Sequence, residues 1–228
     1  MKTHIKKLLT LAALTAMITL TTATARAATV IGNLDSWTTA SGTAATINNV
    51  GSKAVGFTMG ADSYLVTDIQ LRLTVDASSA PTAISVELWS VNTGGKLDTA
   101  LATFITSDAI SAGATSNFTF TSTNAVTLSA NTTYYIVPRV ADGSLRWTVG
   151  NPSVLPTGAG ATAIPNTLWG SLAGGTSPSS WTSTSANQNW YKITGAQVVP
   201  EPATTAVLAG AGILLFAIAC RQFRHRNR

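Results

Sequence analysis

Histidine and cysteine are nearly missing from this 228-residue chain. The two histidines, His4 and His225, and the one cysteine, Cys220, lie close to its ends. Residues 28–198 therefore lack the imidazole that normally activates a serine or thiol nucleophile, and they lack the soft ligands of a zinc or copper site. They contain no thiol, so a disulfide framework is excluded and stability has to come from packing. No glycine-rich loop leading into a helix offers a phosphate cradle. No cofactor is expected. Charge is scarce too, at 10% of residues, and the formal net charge of +5 is misleading. Eight of the fourteen bases sit in the first 27 or last eight residues. Between Ala28 and Val198 six bases stand against eight acids, a net of −2. A body of that sign has no electrostatic footprint for nucleic acid, which is excluded as a partner.

The ends carry addresses. Met1 to Lys7 is short and basic, Leu8 to Leu20 is mostly apolar, and Ala25-Arg26-Ala27 puts small residues where a signal peptidase reads, at Ala25 and Ala27. That order predicts a signal peptide over residues 1–27, with an apolar run too short to span a bilayer comfortably. At the other end, Val199-Pro200-Glu201-Pro202 is followed by an uncharged stretch from Ala203 to Cys220. Eighteen residues of helix reach roughly 27 Å, just enough for the hydrocarbon core. The cluster Arg221, Arg224, Arg226 and Arg228 would hold the tail on the cytoplasmic side, with the domain facing out.

Val-Pro-Glu-Pro, a small-residue-rich span and a terminal arginine cluster, in that order over residues 199–228, resemble the PEP-CTERM sorting signal of Gram-negative bacteria. The resemblance implies an exosortase as processing partner, a membrane cysteine protease that removes the tail near the motif. Pro200, Glu201 and Pro202 would be its recognition residues and the four arginines the stop-transfer cluster. It further implies transient or permanent residence in the inner membrane, facing the periplasm. The cell surface or exterior follows, in bacteria that make exopolysaccharide and biofilm.

Serine and threonine make up about 29% of residues 28–198, while lysine and glutamate are rare, a composition that suits pleated half-buried surfaces better than surface helices. In Val66 to Asp76, Ile69, Leu71, Leu73 and Val75 share one face and Asp68, Gln70, Arg72 and Thr74 the other. Ile84 to Leu88 and Asn117 to Thr121 alternate likewise. Tyr134 to Val140 and Leu145 to Val149 flank Asp142-Gly143, a hairpin signal, and Pro138 predicts an edge or a bulge. From Asn151 to Asn189 the pattern dissolves into a long decorated loop or two short weak strands, and Trp190 to Thr194 reads as the last strand. Short strands at turn spacing predict an all-β antiparallel sandwich, jelly-roll-like, over residues 28–198. The runs Ala54 to Met59, Val86-Glu-Leu-Trp89-Ser90 and Leu128 to Tyr135, with the alternating strand, resemble the choice-anchor type of extracellular domain. That likeness implies a surface module and no catalytic residues.

Two functional alternatives remain. A glycosidase or lyase working with carboxylates alone would need two acids across a cleft, such as Asp68 or Asp76 with Glu87 on neighbouring strands; their position on the solvated face of the strands argues for a solubilising role instead. A carbohydrate-binding module would use exposed indoles. Trp89 points with Glu87, away from Val86 and Leu88, and is a surface candidate, whereas Trp147 belongs to the core. Trp169 and Trp181 either form a sugar platform or plug one end of the sandwich. The leading expectation is a non-enzymatic surface or matrix protein, associated with exopolysaccharide.

Overall fold

The structure, a computed structural model, describes residues 27–37, 44–150, 153–173, 177–183 and 186–198. Except for Ala27, the predicted signal peptide lies outside the described residues, as does the whole of the predicted sorting signal. Among the described residues no helix is long and apolar enough to cross a membrane.

The described chain runs through β1 (Ala27–Gly32), β2 (Ala45–Asn48), β3 (Gly51–Met59), β4 (Tyr64–Val75), β5 (Ile84–Val91), β6 (Leu97–Ile105) and β7 (Thr115–Phe120). It continues through β8 (Thr127–Leu128), β9 (Thr133–Val140), β10 (Ser144–Trp147), β11 (Ala161–Ala163), β12 (Leu168–Ala173), β13 (Ser177–Ser183) and β14 (Tyr191–Gln197). Its only helical piece is a single 3-10 turn, Leu34–Ser36. The first sheet is ordered β1-β14-β4-β10-β2, with β7 and β8 on the far side of β4; the second is ordered β13-β12-β3-β9-β5-β6, with β11 beside β3. Every pairing is antiparallel, and the two sheets share one core, so the fold is all-β and sandwich-like.

β4 shows why the sequence folds this way. Its inward residues Ile69, Leu71, Leu73 and Val75 are at most 1% exposed, each contributing roughly 1.5–3 kcal/mol of burial. They meet Val55, Phe57, Val86, Leu88 and Ile136 from the second sheet. Threonine serves the opposite face: Thr74 and Thr115 share a 2.7 Å hydroxyl contact across the β4–β7 pair. Trp147 is fully buried and donates its indole N–H to the Trp190 carbonyl at 3.0 Å, as its core assignment requires.

Two sequence expectations need correction, and one open choice is decided. Asp142-Gly143 does not close a hairpin, because β9 belongs to the second sheet and β10 to the first. The turn is an inter-sheet crossing: Asp142 accepts from the Thr82 amide at 2.8 Å, and Gly143 has φ 62° with the Ser79 carbonyl packed against it. Pro138 is not on an edge strand, since β9 lies between β3 and β5. Its carbonyl accepts from Ser52 Oγ at 2.6 Å, so its missing N–H faces β3 as well, where the ladder has already ended at Val55–Ile136. Between Asn151 and Asn189 the described residues favour short strands over a decorated loop, three of them rather than two, β11, β12 and β13, while the last strand starts at Tyr191 and runs to Gln197.

The two ends of the sandwich leave together. Ala27 pairs with Ala196, and the Val198 amide donates to Ser63 at the start of β4. The outer side of β1 is covered by residues 157–160, with Gly32 and Thr157 exchanging two 2.9 Å bonds. Gly158 passes so close to the Val30 carbonyl that no Cβ fits there.

Candidate functional site

Neither Asp68 nor Asp76 is brought onto a strand beside Glu87. β4 and β5 are not neighbours: they lie in different sheets, and Asp68 and Glu87 occupy the outer faces of those sheets, pointing apart. Glu87 is held by Arg139 Nε at 2.8 Å and by the Trp89 indole N–H at 2.9 Å. Asp76 accepts from Ser78 and Ser144, and these hydrogen bonds hold its carboxyl below the usual range. Asp142 is lowered in the same way by Thr82. Among the described residues no group of three acidic, histidine or cysteine side chains could hold a metal ion.

The tryptophans separate into distinct roles. Trp89 does point with Glu87, as alternation predicts, but it is 5% exposed and therefore no surface candidate. The outer face of the second sheet has its own apolar cluster, in which Trp89 packs with Ala54, Tyr135 and Val137 under Leu97, Leu168 and Trp181. Burial there raises the Tyr135 pKa. Trp169 and Trp181 do not make one platform either. In the β12–β13 register Trp169 stands opposite Thr182 and Trp181 opposite Gly170, so the two indoles lie on opposite faces of the ladder. Trp181 caps the outer cluster, while the Trp169 ring rests over Gly51, where a Cβ would approach it to 2.5 Å. Both are half-buried.

The outer face of the first sheet differs in kind. The outward residues of β4 meet those of β7 in register, Gln70 with Thr119, Arg72 with Asn117 and Thr74 with Thr115. Lys192 on β14 stands beside Gln70. Trp37, just after the 3-10 turn, lies on this face: the Arg72 guanidinium carbon is 3.7 Å from its ring centroid. Such a contact contributes about 0.5–1 kcal/mol at an exposed site. Arg72 is fixed further by a 2.9 Å bond from Nη1 to Asn117 Oδ1, and its partly desolvated guanidinium has a lowered pKa. Lys192 reaches Asp35 at 2.9 Å. Trp37 remains 37% exposed, the only tryptophan among the exposed large hydrophobic residues described. Sequence reading passed it over because no alternating run contains it. Its placement depends on the β1–β14–β4 pairing, which no local pattern encodes.

A groove of about 670 Å³ lies between β6 and residues 122–127, lined by Ala100, Leu101, Thr103, Ser122 and Asn124 among others. It presents neither a ring to stack on a sugar nor a charged side chain. No family model, curated protein or solved structure matches the chain.

Proposed function

We propose that this chain is an exported, non-enzymatic cell-surface or extracellular-matrix protein, sorted through its C-terminal signal and associated with exopolysaccharide. In this reading residues 1–27 are a signal peptide, and residues 203–220 form a helix in the inner membrane with the body on the periplasmic side. An exosortase acts at Pro200, Glu201 and Pro202. The frequent crossings between sheets support a jelly-roll-like description of the body.

One observation carries the proposal. β1 begins and β14 ends side by side, at Ala27 and Ala196, so a membrane-proximal end is defined whichever terminus is tethered. Tyr64 lies at that end, paired with Gln197, while Arg72 is eight residues further along β4, about 26 Å away at ~3.3 Å per residue. The polar face with Trp37 is thus held away from the tether, as display toward an outside partner requires.

The test is the intact mass of the protein recovered from cells with and without exosortase. Loss of the tail only when the protease is present supports sorting. The same unprocessed mass in both strains, or unchanged processing of Glu201→Ala, defeats it and leaves a plain membrane-anchored protein. Sugar binding is the second reading, favoured by the exposure of Trp37 rather than by Trp89, Trp169 or Trp181.

A further inference from the structure

We infer that the outer face of the first sheet binds an uncharged polysaccharide chain, with Trp37 as the stacking platform and Asn117 and Gln70 as the hydrogen-bonding groups beside it. The inference rests on the sugar-binding reading and names its site and ligand class. Exposing an indole is unfavourable unless something covers it, and this one is held ready. Arg72 occupies one ring face at 3.7 Å and is itself tied to Asn117, and the residue still keeps 37% of its surface exposed. A ring fixed in this way loses little conformational entropy when a sugar stacks on it.

The neighbouring groups select the ligand. Asn117 accepts from Arg72 through Oδ1, which leaves its amide hydrogens for a hydroxyl acceptor. Gln70 donates to Asp68 at 3.3 Å and keeps its amide oxygen for a hydroxyl donor. Thr119 stands beside Gln70 in register. Charges on this face balance in number, with Lys192, Arg72 and Arg146 standing among Asp35, Asp68 and Asp76. Lys192 is paired with Asp35, Arg72 is stacked and amide-bound, Asp68 takes Thr67 and Gln70, and the exposed Arg146 acts electrostatically on Asp76. With no net positive charge to attract a uronate or sulfate, the face is complementary to a neutral polyol. The face is an open sheet surface rather than a closed cleft. A single sugar would make few contacts on it, and a chain crossing several strands would make many.

The experiment is affinity electrophoresis of the full-length chain through gels containing hydroxyethyl cellulose, dextran or galactomannan, with alginate as the anionic comparison. Trp37→Ala should weaken retention by a neutral polymer about tenfold, and Trp37→Tyr should restore most of it. Asn117→Ala should weaken it several-fold. If Trp37→Ala does not fold, judged by thermal unfolding, Trp37→Tyr and Asn117→Ala carry the test. Equal retention of the wild type and folded variants overturns this site while sugar binding stands. No retention by any polymer overturns both. Retention by alginate alone, abolished by salt, overturns the neutral ligand.

Discussion

The outer faces of the two sheets come from strands of the same alternating kind, yet they end in opposite states. On the first sheet the outward positions hold Gln70, Arg72, Thr74, Asn117 and Thr119, and the single large ring, Trp37, is 37% exposed. On the second the outward positions hold Ala54, Trp89, Tyr135 and Val137, at most 5% exposed, around the Glu87–Arg139 ion pair. Alternation decides which way a side chain points. What covers it is decided by neighbours brought from elsewhere, here Leu168 and Trp181 of the late strands. A β-sandwich can therefore have a second small core outside its main one, while the face without it stays polar.

This contrast can be broken most severely at Trp89. Trp89→Ala should cost about 3–5 kcal/mol in urea unfolding, because it opens the outer cluster and leaves Glu87 without its indole donor. A loss below 1 kcal/mol would mean that this face is not a core. A middle-sized effect is expected at Lys53, which is 5% exposed, with no ion-pair partner among the described residues, and whose pKa burial lowers to about 8. The unfolded chain regains the ordinary value near 10.5, so between these values the unfolded state binds more protons and stability rises with pH. Below about pH 8 both states are protonated and the penalty is complete. Lys53→Met should remove that slope and stabilise the protein at pH 7 by on the order of 1–2 kcal/mol. A flat wild-type profile between pH 8 and 10.5 would show the amine to be solvated. The smallest change in stability belongs to Trp37→Ala, at most about 1 kcal/mol from the lost stacking on Arg72. A larger loss would make Trp37 a structural residue like Trp89 and erase the difference between the faces.

Much of the fold was legible where alternation was strong. Ile69, Leu71, Leu73 and Val75, Val86 and Leu88, and Phe118 and Phe120 all face the core as their spacing indicates. Turn chemistry was less informative: Asp142-Gly143 marks a reversal but says nothing about which sheet the chain enters next. β12 and β13 were hard to see because Gly, Ser and Thr give little apolar contrast, and their strand character comes from pairing, β12 with β3 and β13 with β12. The candidate site was the least legible part. Trp37, Arg72 and Asn117 are distant in sequence and meet only after β14 has been inserted between β1 and β4. Trp89 failed as a surface residue for the complementary reason, since its cover comes from strands near the end of the body.

The adjacent exits of β1 and β14 also fix how the body bears a load. Pulling its two ends apart would open the β1–β14 pair one rung at a time from Ala27 and Ala196, the weak direction for an antiparallel pair. Drag on a body held only by its C-terminal side enters β14 at Gln197, where Tyr64 pairs with it, and spreads along β4, the longest strand described. One attachment thus makes a tougher unit against flow than two.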